Sequence, residues 1–282
     1  MKNTKNTFSK RFGTMLKVDF KRLFLSRSFY IILASCLLAP ILILVMTTMM
    51  DGMVSVDPQT GVETVMEGFD NVWQIIGSVN QTDANTGVSA DAGAAAGAGM
   101  DAMDMSITSM CNINMLYFAI AALVCIFVSE DFRSGYAKNL FTVRAKKTDY
   151  VASKTVVMTF GAAMMILAFI LGSLVGGAVS GLPFDMDGFN VMNLIMCMLS
   201  KIVLVSVFVP IYLVMSVAAK QKLWLSILLS MMVGMFLFMM IPMLTPLNAT
   251  LGHVLICAVG GFGFCMGLGA ISNLVLKKTS LV

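Results

Sequence analysis

Residues 105–154 read MSITSMCNINMLYFAIAALVCIFVSEDFRSGYAKNLFTVRAKKTDYVASK. No charged residue interrupts 105–129, whereas acidic and basic residues crowd 130–154. A bilayer core about 30 Å thick takes roughly 20 apolar residues of helix. The first half therefore predicts a membrane-spanning helix, and the second a polar segment that stays in water. The same alternation repeats on both sides of this stretch.

Working outward, spans are expected near 29–50, 105–128, 155–180, 195–219, 223–245 and 251–275. The last two share the charge-free stretch 223–276, which is long enough for two crossings. Pro242, Pro246 and Asn248 mark the turn between them, because Pro and Asn favour chain reversal over helix continuation. Composition agrees: 58% of residues are hydrophobic and 12% charged, against about 25% charged in soluble domains. The 27 Met and 23 Gly suit helix packing in lipid.

The basic residues test the count, since Lys and Arg accumulate in the cytoplasm. Eight precede the first span, six lie between the second and third, two between the fourth and fifth, and two follow the sixth. Of the 19, only Lys201 falls elsewhere. The expected fold is an all-α membrane protein of six transmembrane helices, residues 29–282, in the plasma membrane with both termini cytoplasmic. The basic N-terminus and first apolar run read as an uncleaved span, the run being too long for a signal peptide.

Residues 1–28 are expected to form a cytoplasmic amphipathic helix at the interface. Phe8, Phe12, Leu16, Phe20 and Leu23 make its stripe, and Lys10, Lys17, Lys21 and Arg22 fall off it, toward anionic lipid. The extracytoplasmic loop 51–104 holds a second amphipathic pattern over 61–79, with Val62, Val65, Met66, Phe69, Trp73 and Ile76 at helical spacing. Its Gly/Ala-rich part, 90–103, reads as a flexible linker.

The polar segment spends far more residues than a passive connection needs. It opens acidic with Glu130 and Asp131 and closes basic with Arg144, Lys146, Lys147 and Lys154. Gly135 permits a bend, and the middle has the composition of a short helix that could receive force from a soluble partner.

Two motifs here resemble the permease subunits of ABC-2 type transporters. One is Glu130-Asp131-Phe132-Arg133-Ser134-Gly135-Tyr136-Ala137-Lys138-Asn139, followed by a basic cluster and by Tyr150 and Lys154 opening the next span. The other is Val18-Asp19-Phe20-Lys21-Arg22-Leu23-Phe24 before the first span. The resemblance implies a coupling helix around 133–141 that docks on a separate ATPase subunit. It implies contact through Glu130, Asp131, Phe132, Arg133, Gly135, Lys138, Asn139, Leu140, Phe141 and Arg144. It further implies two permease copies, identical or not, with ATP and Mg on the partner subunits, usually exporting lipids, peptides, drugs or polymers. Tyr136 departs from the family pattern, where a small hydroxyl residue is common, and the first outside loop is longer than in compact members.

The chain carries no G-x-x-x-x-G-K-[ST] phosphate loop, so no bound cofactor is expected on it. The six Cys form no C-x-x-C pair and His253 stands alone, so no metal site is expected. No basic patch interleaved with aromatics suggests nucleic acid. Lys201 has two readings. Either the fourth span starts near Ile202 and Lys201 snorkels to the outer headgroups, or it faces a polar cavity and meets an anionic substrate. Gly172/Gly176, Gly177/Gly181 and Gly263/Gly267 offer close helix approach, and Pro210 is expected to kink the fourth span. Competing functional readings are an ion-gradient carrier, disfavoured by the lack of carboxylates within the spans, and a non-transporting sensor or assembly protein.

Overall fold

A computed structural model describes residues 8–56, 63–65, 68–77, 111–142, 147–219, 222–238 and 240–278. The helices are α1 (Phe8–Leu25), α2 (Arg27–Met50), α3 (Leu116–Arg133), α4 (Tyr136–Thr142) and α5 (Lys147–Ser180). They continue as α6 (Val191–Ala218), α7 (Leu223–Phe238), α8 (Met240–Leu244) and α9 (Leu251–Lys278). Among the described residues, five stretches are long and apolar enough to cross a membrane: Arg27–Met50, Ile113–Arg133, Lys147–Ser180, Val191–Ala218 and Leu251–Leu276.

The stretch expected as the fifth span is helical on both sides of residue 239, which lies outside the described residues. α7 has 16 residues, about 24 Å of helix, and α8 has five.

Other boundaries move as well. α3 runs on to Arg133, so Glu130, Asp131, Phe132 and Arg133 belong to a helix end and not to a loop. α5 starts at Lys147, before the expected 155, and its 34 residues make about 51 Å of helix. Its basic end therefore extends well past a 30 Å bilayer core. Residues 105–110, the start of the expected second span, lie outside the described residues, as does the linker 90–103.

The helix expected over 61–79 is not formed. Glu63–Val65 is a strand (β2) paired antiparallel with Val54–Val56 (β1), Val54 facing Val65 and Val56 facing Glu63. β-branched residues, Val54 and Val56 on β1 and Thr64 and Val65 on β2, favour that pairing over helix. Val72–Ile75 is a single 3-10 turn capped by the Asn71 side chain, which accepts from Trp73 N. Phe69, Trp73 and Ile76 of the stripe are still buried, and with Val72 and Ile75 they pack into the bundle end. The side chains of Val62, Val65 and Met66 lie outside the described residues.

Contacts sort the chain into two ends. At one, Val72 N donates to Pro183 O and Trp73 Nε1 to Phe184 O, while Gly77 lies against Leu247. The short Asn71 Nδ2 bond to Asp185 O belongs to the same end. At the other, Arg11 pairs with Asp149, Asp19 with Lys154, and Lys147 Nζ donates to Leu276 O. The basic segments thus gather at one end and the acidic loops at the other.

Packing centres on α6, which touches α3, α5, α7 and α9. α2 lies along α5 at a very close approach. A Cβ built on Gly172 would stand 2.2 Å from Leu37 O and 2.7 Å from Pro40 Cγ, and one on Gly176 2.9 Å from Ile41 Cα. Gly261 of α9 is as tight against Ser206 of α6. By contrast, Gly263, Gly267 and Gly269 have nothing within 4 Å, and α9 exposes Val259, Phe262 and Met266.

Candidate functional site

The site starts from a turn. α3 ends at Arg133, Ser134 N donates to Glu130 O, and Gly135 takes φ 71°. Only glycine adopts that conformation readily, and it reverses the chain into α4. α4 is one short helix of seven residues. Ala137 faces inward with no exposure, whereas Lys138, Asn139 and Thr142 are exposed.

Aromatic and cation–π contacts hold α4 to the bundle. Phe141 meets Tyr150 of α5 edge to face, with ring centroids 5.4 Å apart. Lys147 Nζ sits 5.7 Å from the centroid of Phe141. The Tyr136 ring lies under the Arg22 guanidinium of α1, 4.1 Å from its centroid. Cation–π contacts of this kind contribute about 0.5–2 kcal/mol, more when desolvated.

Behind α4 lies a buried ionic node. Lys154 of α5, with no exposed side-chain surface, contacts Asp19 Oδ1 of α1 at 2.8 Å and Asp131 Oδ2 of α3 at 2.7 Å. Asp131 also pairs with Arg22 and accepts from Tyr150 Oη at 2.9 Å. Asp19 accepts from Ser153 Oγ at 2.6 Å. Phe127 closes the node, 4.2 Å from Lys154 Nζ at its ring centroid. Two carboxylates and two cations balance to zero. Farther out, Arg11 Nε donates to Asp149 Oδ2 at 3.2 Å.

Each buried charge costs several kcal/mol of desolvation, returned only by good geometry and added hydrogen bonds. The node therefore fixes the register of α1 against α3 and α5. Partial burial opposes the Arg22 charge, but the Asp131 carboxylate outweighs it and raises the Arg22 pKa further. Burial raises the Tyr136 pKa too, so its ring faces Arg22 as a neutral phenol.

The residues expected at a docking surface divide accordingly. Glu130, Arg133, Lys138 and Asn139 are exposed, and Phe132, Gly135, Leu140 and Phe141 are half-buried. Asp131 is wholly buried and cannot touch a partner; it belongs to the node. Arg144 lies outside the described residues. Arg22, expected to face lipid, turns inward to Asp131, while Lys10, Lys17 and Lys21 stay exposed.

Lys201 sits ten residues into α6, which starts at Val191, about 15 Å along the helix. It has no exposed surface; Nζ donates to Thr245 Oγ1 at 2.8 Å and to Asn114 Oδ1 at 3.3 Å. Tyr117 Oη donates to its backbone carbonyl at 2.9 Å. Snorkelling is therefore excluded: α6 does not start at Ile202, and the ammonium is held inside the protein. Elsewhere, an apolar cleft of about 580 Å³ opens between α2 and α3, lined by Ile32, Cys36, Ile43, Met115, Ala119 and Phe169 among others. Among the described residues, no group of His, Cys, Asp and Glu could hold a metal ion.

This fold defines a multi-pass helical membrane protein with a short helix tethered at its basic end. Residues 88–237, just over half of the 282, match the model for ABC-2 family transporter protein. The chain belongs to that family and is a membrane transport protein. No curated protein and no solved structure matches it.

Proposed function

We propose that this chain is the permease subunit of an ATP-driven exporter of the ABC type, crossing the plasma membrane six times with both termini in the cytoplasm. α7 and α8 together make the fifth crossing. ATP and Mg bind a separate nucleotide-binding subunit, and two permease copies assemble with two such subunits. The second copy covers the exposed face of α9 around Gly263 and Gly267.

The observation that carries this reading is the attachment of α4. A passive loop has no need of a glycine-hinged helix fastened to three other helices through Tyr136, Phe141 and an ionic node. Push on α4 from outside, and α1, α3 and α5 move with it. Gly135, Lys138, Asn139, Leu140 and Phe141 form the contact with the motor. The substrate is a peptide, drug or lipid-like amphiphile, which suits the apolar cleft between α2 and α3. Lys201 enters the pathway when Thr245 withdraws and then meets an anionic group.

The test is reconstitution of the permease with an ATPase subunit in liposomes. A 2:2 complex should form and move an anionic amphiphile outward only with ATP. Lys201→Met should keep the thermal midpoint while lowering that movement about tenfold, the equivalent of about 1.4 kcal/mol. Movement without nucleotide would sink the exporter reading, and unchanged transport by Lys201→Met would remove that residue from the pathway.

A further inference from the structure

A polar crevice of about 370 Å³ opens between the basic ends of α3 and α7, lined by Ile126, Ser129, Glu130, Arg133, Ser134 and Leu223. Ile126, Ser129, Glu130 and Arg133 recur at three- and four-residue spacing, so they share one face of α3. That face is distinct from the one bearing Phe127 and Asp131 of the ionic node.

Three features mark the crevice as a built site. Ser129 is 1% exposed, and among the described residues its hydroxyl meets no partner. Buried polar groups are almost always bonded, so this one awaits a guest. Glu130 and Arg133 bring opposite charges to the rim, and among the described residues neither forms an ion pair. Ile126 and Leu223 supply apolar wall beside these groups.

The depth identifies the guest. The spanning stretch Ile113–Arg133 has 21 residues, about 31 Å of helix, the thickness of a bilayer core. Glu130 and Arg133 thus stand at the headgroup plane, where phospholipid is present in large excess and fills even a modest site. The crevice asks for an anion to accept from Arg133 and a hydroxyl, a cation to donate to Glu130, and an apolar remainder.

We propose that the crevice between α3 and α7 binds the headgroup of a phospholipid bearing a primary ammonium, phosphatidylethanolamine being the simplest. Its phosphate accepts from Arg133 and Ser129, and its ammonium donates to Glu130. A choline headgroup has no N–H to donate and fits worse. The inference rests on membrane residence and the charge-assigned orientation, and is independent of docking by α4.

The experiment uses the full chain in nanodiscs of equal phosphatidylethanolamine, phosphatidylcholine and phosphatidylglycerol, with native mass spectrometry of the lipid retained on release. The wild type should keep phosphatidylethanolamine over phosphatidylcholine by about tenfold, the value of one charge-assisted hydrogen bond. Glu130→Gln should bring that ratio near one at an unchanged thermal midpoint, and Arg133→Ala should lose both zwitterionic lipids. Equal retention of all three lipids by the wild type would overturn the proposal. So would a preference that survives Glu130→Gln. Loss of a bound ATPase subunit in Arg133→Ala with lipid retention unchanged would assign the crevice to a protein partner and overturn it too.

Discussion

Asp131→Ala should destabilise the folded chain by about 3–5 kcal/mol, the usual result of removing one partner from a buried ion pair. Asp131 has no exposed surface and meets Arg22, Lys154 and Tyr150. Without it the node holds two cations and one carboxylate, with Lys154 and Asp19 wholly buried. The double variant Asp131→Ala with Lys154→Met restores neutrality, leaving Asp19 and Arg22. It should recover most of the loss, because replacing a whole buried pair by apolar groups is often neutral. Thermal unfolding in nanodiscs, followed by tryptophan fluorescence, reads both. A single variant losing under about 1 kcal/mol, typical of exposed pairs, would mean the charges are solvated. A double variant no more stable than the single would mean that they do not act as a unit.

Gly172→Leu should separate α2 from α5, at a cost of about 3 kcal/mol or more, the upper end for overpacking. The added Cβ would stand 2.2 Å from the Leu37 carbonyl oxygen and 2.7 Å from Pro40 Cγ. A backbone oxygen and a proline ring cannot swing aside as a flexible side chain does, so the helices themselves must part. The same substitution at Gly263, where nothing lies within 4 Å, should change the stability of the single chain by less than about 0.5 kcal/mol. Comparison of expression and melting for the two variants decides the matter. Equal effects would mean that α2 does not dock on α5 through this face.

The bundle was largely legible because its signals are additive over many residues. Long charge-free runs marked the five stretches of the described residues that are long and apolar enough to cross a membrane, and the structure gathers the basic segments that flank them at one end. Boundaries were less legible, since helices run past the apolar core. α5 begins at Lys147 because nothing in 147–154 breaks a helix, although the apolar run starts later. The pattern over 61–79 misled because three apolar residues at helical spacing also fit a 3-10 turn plugging the bundle end.

The node was harder to see, since each member has an ordinary local explanation. Arg22 looked like one more lipid-facing cation and Lys154 like a positive residue flanking a span. The overlooked signal was Asp19, three residues after Leu16 and four before Leu23, an acid on an otherwise apolar helical face. An acid so placed needs a buried cation, and Lys154 with Ser153 meets it. Lys201 misled in the opposite direction. No carboxylate pairs with it, and its neutral partners Asn114 and Thr245 are 87 and 44 residues away in sequence.

The central claim is that α4 is a rigid lever worked by a motor on another chain. Replacing residues 135–140 by an equally long Gly/Ser segment, in the assembled complex, tests it most directly. ATP hydrolysis and outward transport would be measured together in liposomes. The account predicts that transport is abolished and that ATP hydrolysis no longer responds to substrate, while the bundle keeps its melting temperature. Full substrate-stimulated hydrolysis with intact transport in that variant would contradict it.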